Sequence, residues 1–213
     1  MTQLLSKLFQ YVLTCCAKYH IDESHGLPHA MNILLYANKI YEEEVLHDVQ
    51  LKDQEAIVYI AAILHDMCDK KYMNETDGMN DIQAFLKDTV LPFESASIRV
   101  IVSTMSYSKV KVHGYPQLGL LQKAYHIVRE ADLLCAYEYE RCLVYNMKKT
   151  PNTDIVHSIA NANTIFKTRV LKHLEDNLFV TSFGKRESIV LHEQSIQRME
   201  QWNRMLNKNV WNQ

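Results

Sequence analysis

The sequence predicts an all-α fold. Over 213 residues there are only 5 Gly and 4 Pro, so the punctuation of hairpins and tight turns is scarce. Apolar residues recur at three- and four-residue steps through most of the chain, and no segment keeps the period of two that marks a half-buried strand. With 47% hydrophobic residues the chain can bury a full core. The expected organisation is one domain over 1–213, its chemistry-bearing blocks between about 20 and 145, with a helical extension over 153–208 packed on it.

Leu4, Leu5, Leu8, Tyr11, Val12 and Cys15 form one apolar stripe and predict a helix over 2–19. It runs into Asp22–Pro28, where Gly26 breaks the helix and Pro28 suits the first turn of the next, which carries Ala30, Ile33, Leu34, Ala37 and Ile40. Residues 52–67 begin polar and become almost wholly apolar before His65, as in a helix through the middle of a protein. Two short helices are expected over 79–90 and 94–106, around Pro92. YSKVKVHGYPQLG reads as an irregular loop because Gly114, Pro116 and Gly119 crowd together. From Leu120 to about Met147 the pattern is helical with a bend, KKTPNTD closes it with a capping Asn and Thr, and two amphipathic helices follow over 153–178 and 186–208.

A net charge of −2 gives no global field to attract nucleic acid or an anionic membrane. The five cysteines form no CxxC pair and no zinc-like spacing, and read as thiols of a reducing compartment. The first 20 residues lack the basic start and cleavage site of a signal peptide, and no stretch reaches roughly 18 uninterrupted apolar residues. The expected location is cytoplasmic.

The chemistry centres on His65-Asp66. An apolar run, Ile60 to Leu64, delivers a histidine and then a carboxylate, and burying an unpaired carboxylate there is costly. A divalent cation is one partner that satisfies both groups; a hydrogen-bonded helix end is the plainer one. Two further groups keep the pair company: a histidine at a helix start in SHGLPHAMNIL, and an aspartate inside the apolar IVREADLLCA.

HGLPHAMNIL, AAILHDMCDKKY, VIVSTMSYSK and IVREADLL, in this order and spacing, resemble the HD-domain phosphohydrolase superfamily, most closely its small stand-alone members. The resemblance covers roughly residues 20–145. It implies a compact helical HD-domain fold with extra C-terminal helices, and one divalent metal ion (Mn, Fe, Co, Ni, Mg or Zn) held by His29, His65, Asp66 and Asp132. It implies hydrolysis of a phosphate ester or anhydride of a small molecule, most simply a nucleotide. Met105 and Ser106 stand where branches with two metals carry histidines, which favours one ion.

Around this set, His25 is expected in the loop before His29, lining the pocket. Asp69, three residues beyond Asp66, projects toward the same side on a continuing helix turn; the resemblance implies that it orients the attacking water, and a solvated Asp in a polar loop is the plainer reading. Lys70 matches the lysine that follows the doublet in the family, and Lys71 reads as surface. Ser106, Arg129 and Arg141 are candidate substrate contacts; for Arg129 pairing with a carboxylate is the other possibility. AYEYERC departs from the family's continuation after the last aspartate. That departure keeps open a non-catalytic module that binds metal or nucleotide for regulation or assembly. Trp202, Met205 and Trp211 are candidate anchors of an interaction surface; the core or a homodimer interface is the other place for such aromatics.

Overall fold

The structure is a computed structural model that describes residues 2–150, 154–208 and 211. It is all-α, with no strand among the described residues. No helix in it is long and apolar enough to cross a membrane.

The first helix, α1 (Thr2–Tyr19), buries Leu8, Val12 and Cys15 as its spacing dictates. At its end Lys18 and Tyr19 both reach Asp81 Oδ2, each at 2.5 Å. α2 (Leu27–Glu44) opens with Pro28 in its first turn. A 3₁₀ segment, Val49–Gln54, leads into α3 (Glu55–Leu64). The helix expected over 52–67 therefore stops at Leu64, and His65 lies on the turn that follows. Ile57, Val58 and Ile60–Leu64 of α3 are all buried. Burial of each large apolar side chain among them is worth roughly 1.5–3 kcal/mol.

α4 (Glu75–Lys87) is capped by Asn74, whose side chain accepts from Thr76 N and Asp77 N. α5 (Pro92–Thr104) starts where Glu94 Oε2 accepts from Leu91 N at 2.8 Å. The segment expected to be irregular begins instead with a short helix, α6 (Tyr107–His113). Its first seven residues contain neither Gly nor Pro, and the helix ends where Gly114, at φ 72°, enters the left-handed region. The long helix expected from Leu120 resolves into α7 (Gln122–Cys135) and α8 (Tyr139–Lys149), separated at Ala136–Glu138. Asp154 caps α9 (Ile155–Ile165) by accepting from His157 N at 2.7 Å. The capping Asn152 and Thr153 expected from the sequence lie outside the described residues. A π-helical turn, Phe166–Val170, then passes into α10 (Lys172–Glu175), and α11 (Ser182–Leu206) completes the chain.

α2, α3 and α7 pack on one another pairwise and form the centre, with α5 and α1 against α3. α11 packs on α2 and α7, and α9 on α8 and α11. The C-terminal helices are pinned by Glu130 of α7, which is fully buried. Glu130 accepts from Val180 N at 2.8 Å and from Thr181 Oγ1 at 2.6 Å, while Thr181 Oγ1 accepts from Gly184 N and so caps α11. Burial pushes the Glu130 carboxyl above its ordinary range against the pull of these donors. Trp202 is half-buried and donates to Glu140 Oε1 at 2.9 Å, so its indole is engaged within the chain. All five cysteines are free thiols.

A Cβ at Gly184 would strike the Glu130 carboxylate and come within 2.8 Å of Thr181 Oγ1. Gly184→Ala is expected to lower stability by about 1–3 kcal/mol through overpacking at this joint, read from the urea midpoint by circular dichroism. An unchanged midpoint would show that the joint is loose.

Candidate metal centre and its cleft

Three central helices each present one end or face to the same point. His29 sits in the first turn of α2, His65 caps the C-terminus of α3 with Asp66 next to it, and Asp132 lies in α7. His29, His65 and Asp66 each offer a ligand atom, and these atoms lie within 4.8 Å of one another. His65 Nε2 is 3.0 Å and His29 Nε2 3.3 Å from Asp66 Oδ2. Asp132 Oδ1 stands 3.8 and 3.9 Å from the two Nε2 atoms. The four residues singled out by the sequence are thus brought together, with Asp132 on the more open side at 27% side-chain exposure.

The donor set fits a divalent cation. His65 Nδ1 lies 2.9 Å from the Ala62 carbonyl, to which it donates, so in the neutral ring Nε2 keeps its lone pair for the cluster. His65 Nε2 and Asp66 Oδ2 are both buried and only 3.0 Å apart, so a cation between these nitrogen and oxygen ligands would take the place of the proton that His65 otherwise holds there.

Burial opposes the charge on Asp66, but His65, His25 and His29 outweigh it and hold the carboxyl well below its usual range. Burial likewise opposes protonation of His65, and the charges of Asp66 and Asp132 prevail, pushing it up to about 9. His29 goes the other way: burial and then Arg141 push it down to about 4. Arg141 Nη1 lies 3.1 Å from His29 Nε2 and 3.1 Å from the Ser24 carbonyl. The metal-free cluster therefore holds its proton on His65 and presents a neutral His29.

The cluster opens into a cleft of about 440 Å³. His25, Asp69, Lys70, Ser106 and Arg141 all line it. His25 lies in the loop before α2 and is 8% exposed. Ser24 Oγ and Tyr72 OH both donate to Asp22, at 2.5 and 2.8 Å. Their oxygens are left to accept from His25 Nδ1, at 2.7 and 2.9 Å. His25 Nε2 then accepts from Lys71 Nζ at 3.1 Å. Burial pushes His25 down to about 4, consistent with this neutral tautomer.

Lys71, read from the sequence as plain surface, also pairs with Asp69 Oδ2 at 3.1 Å and lines the cleft. Lys70 is exposed on the cleft wall. The turn carrying these residues is held by α4: a Cβ at Gly78 would lie 2.7 Å from Cys68 Cα, so only glycine allows this approach.

Arg129 is placed elsewhere. It is 2% exposed, stacks 4.8 Å over the Tyr115 ring and donates to the Leu178 carbonyl, beside a separate cavity lined by Val110 and Leu178. Its side chain leaves the α7 face that carries Asp132 to join the C-terminal helices, so it is not a substrate contact of this cleft. Conversely, Tyr145, Lys149, Arg169 and His173 line the cleft without having been singled out as site residues. They come from helices packed around the core, and no local motif marks them.

No protein-family model and no curated protein matches the chain. A Lactobacillus plantarum protein solved by the Northeast Structural Genomics effort has a TM-score of 0.65 and 21% identity, over 95% of this chain and 98% of that one. At that identity the likeness shows the shared all-α fold.

Because the folded, metal-free site holds a proton on His65 up to about pH 9, a bound cation must displace it. Titrating Mn into stripped protein at pH 8, in buffers of different ionisation enthalpy, is expected to show about one proton released per ion. Apparent affinity should rise with pH and level off near 9. A heat independent of buffer would remove His65 from the ligand set.

Proposed function

We propose that this protein is a metal-dependent phosphohydrolase of the HD superfamily acting on a small phosphorylated molecule, most simply a nucleotide. The observation that carries this reading is the buried His29–His65–Asp66 cluster, with Asp132 Oδ1 3.8 and 3.9 Å from its two imidazoles, at the floor of a cleft rich in cations. His29, His65, Asp66 and Asp132 would hold one divalent ion, of the Mn, Fe, Co, Ni, Mg or Zn class. When bound, the ion supplies Lewis-acid polarisation of a phosphoryl oxygen and makes water acidic enough to attack near neutral pH.

The chain's own residues supply the rest. Asp69, 19% exposed and facing the cleft, orients the attacking water and receives its proton. Its ion pair with Lys71 fixes the carboxylate, and the neutral His25 fixes Lys71 from the other side. Lys71 and Arg141 are held at the cleft wall in position to meet the phosphoryl oxygens, where cationic donors stabilise developing charge. Water oxygen bonds to phosphorus, the bond to the leaving oxygen breaks, and that oxygen takes up the proton.

The test is phosphate release from a panel of nucleotides and sugar phosphates by stripped protein refilled with Mn, Co, Mg or Ni. Turnover is expected to require metal and to fall by at least about 10³-fold in Asp66→Ala. Stoichiometric metal without turnover on any compound would favour the non-catalytic module, and absence of metal binding would remove the site itself.

A further inference from the structure

The cleft has a second wall, built by the last third of the chain. After α9 the backbone widens into the π turn Phe166–Val170, which buries Phe166 against Tyr139 at a ring distance of 5.2 Å and also buries Val170. The intervening Thr168 and Arg169 are exposed and line the cleft. Single π turns of this kind recur at functional sites because the extra residue redirects side chains. The Arg169 guanidinium lies 4.7 Å over the Tyr107 ring, and that ring lies 5.4 Å from His173. Among the described residues no carboxylate pairs with Arg169.

His173 is the second, independent observation. It is 1% exposed, it lines the same cleft, and neither ring nitrogen has a hydrogen-bond partner. Buried polar nitrogens without partners are rare and costly. Burial, and then Arg169, pushes its pKa down to about 4, so the ring is neutral and offers one donor.

The charge of the cleft points the same way. Its two carboxylates outside the metal cluster, Asp69 and Glu75, are already paired with Lys71 and Lys109. Lys70, Arg141, Lys149 and Arg169 line it with no carboxylate partner among the described residues. One phosphomonoester leaves part of this positive charge unmet.

We propose that Arg169 and His173 form a second phosphoryl subsite, so that the substrate carries at least two phosphoryl groups, one cleaved at the metal cluster and one held at the π turn. This deepens the phosphohydrolase reading and rests on it for the words cleaved and substrate; the anion subsite itself is testable without metal.

The experiment is calorimetric binding to metal-free full-length protein of inorganic phosphate, tripolyphosphate and fructose 1,6-bisphosphate. The last two present the second phosphoryl group at short and long span. Wild type is expected to bind at least one of them about tenfold or more tighter than phosphate. Arg169→Ala is expected to abolish that preference, Arg169→Lys to restore part of it, and His173→Phe to weaken it about threefold, with phosphate binding within about twofold throughout. Arg169 is exposed, so its variants are expected to keep the wild-type melting curve. Equal affinity of wild type for all three compounds, or a preference unchanged in Arg169→Ala, would overturn the subsite. A preference that responds to Arg169 in a protein that releases no phosphate from any compound would sustain the subsite and refute the hydrolase.

Discussion

Everything in this molecule is organised around the cost of ending an apolar helix in charge. α3 is buried along nearly its whole length, and the chain emerging from it places an imidazole and a carboxylate at the meeting point of α2, α3 and α7. In such surroundings an isolated carboxylate is expensive and two are worse. The fold answers with imidazoles on two sides, a backbone carbonyl that sets the ring of His65, and a guanidinium resting on His29. What this leaves is two imidazole nitrogens and a carboxylate oxygen within 4.8 Å of one another, a donor set that a cation fits.

Around that point the polar groups form a chain in which each fixes the next. Asp22 takes the protons of Ser24 and Tyr72, whose oxygens then set the tautomer of His25. His25 holds Lys71, and Lys71 holds Asp69. The links run from 2.5 Å at Asp22 to 3.1 Å at the exposed Lys71, and through them the geometry of the last carboxylate is coupled to an aspartate 47 positions earlier in the sequence. Such a relay restricts the positions of its members, and restriction is what a site gains when charge must develop at a defined place.

The helices and the meeting of His29, His65, Asp66 and Asp132 were legible in the sequence because both are written locally or in order. Apolar spacing reports a buried face directly, and His29, His65, Asp66 and Asp132 stand in recognisable blocks on helices that the core must bring together. The misreadings have a common cause. Helix α6 was hidden by the glycines and proline that follow it, although they only terminate it. Arg129 was credited to the cleft because it sits three residues before Asp132, yet its long side chain is claimed by Tyr115 and the Leu178 carbonyl. Lys70 and Lys71 are adjacent and chemically alike, and the partners that tell them apart are His25 and the Asp69 carboxylate, reached through folding. His173 and Arg169 belong to no motif at all; their place at the cleft depends on how a π turn seats against α6 and α8.

The two walls of the cleft come from different stretches of chain. The wall that carries the His29–His65–Asp66 cluster and Asp132 is made of residues before position 142, most of them in or beside the central helices. The opposite wall rests on one π turn that buries Phe166 and Val170 and leaves Thr168 and Arg169 exposed, with Arg169 over the Tyr107 ring. Substitution at Thr168 or Arg169 therefore leaves the core untouched, so this wall can change over long evolutionary times, one surface-facing residue at a time, while the cluster of His29, His65, Asp66 and Asp132 stays constant.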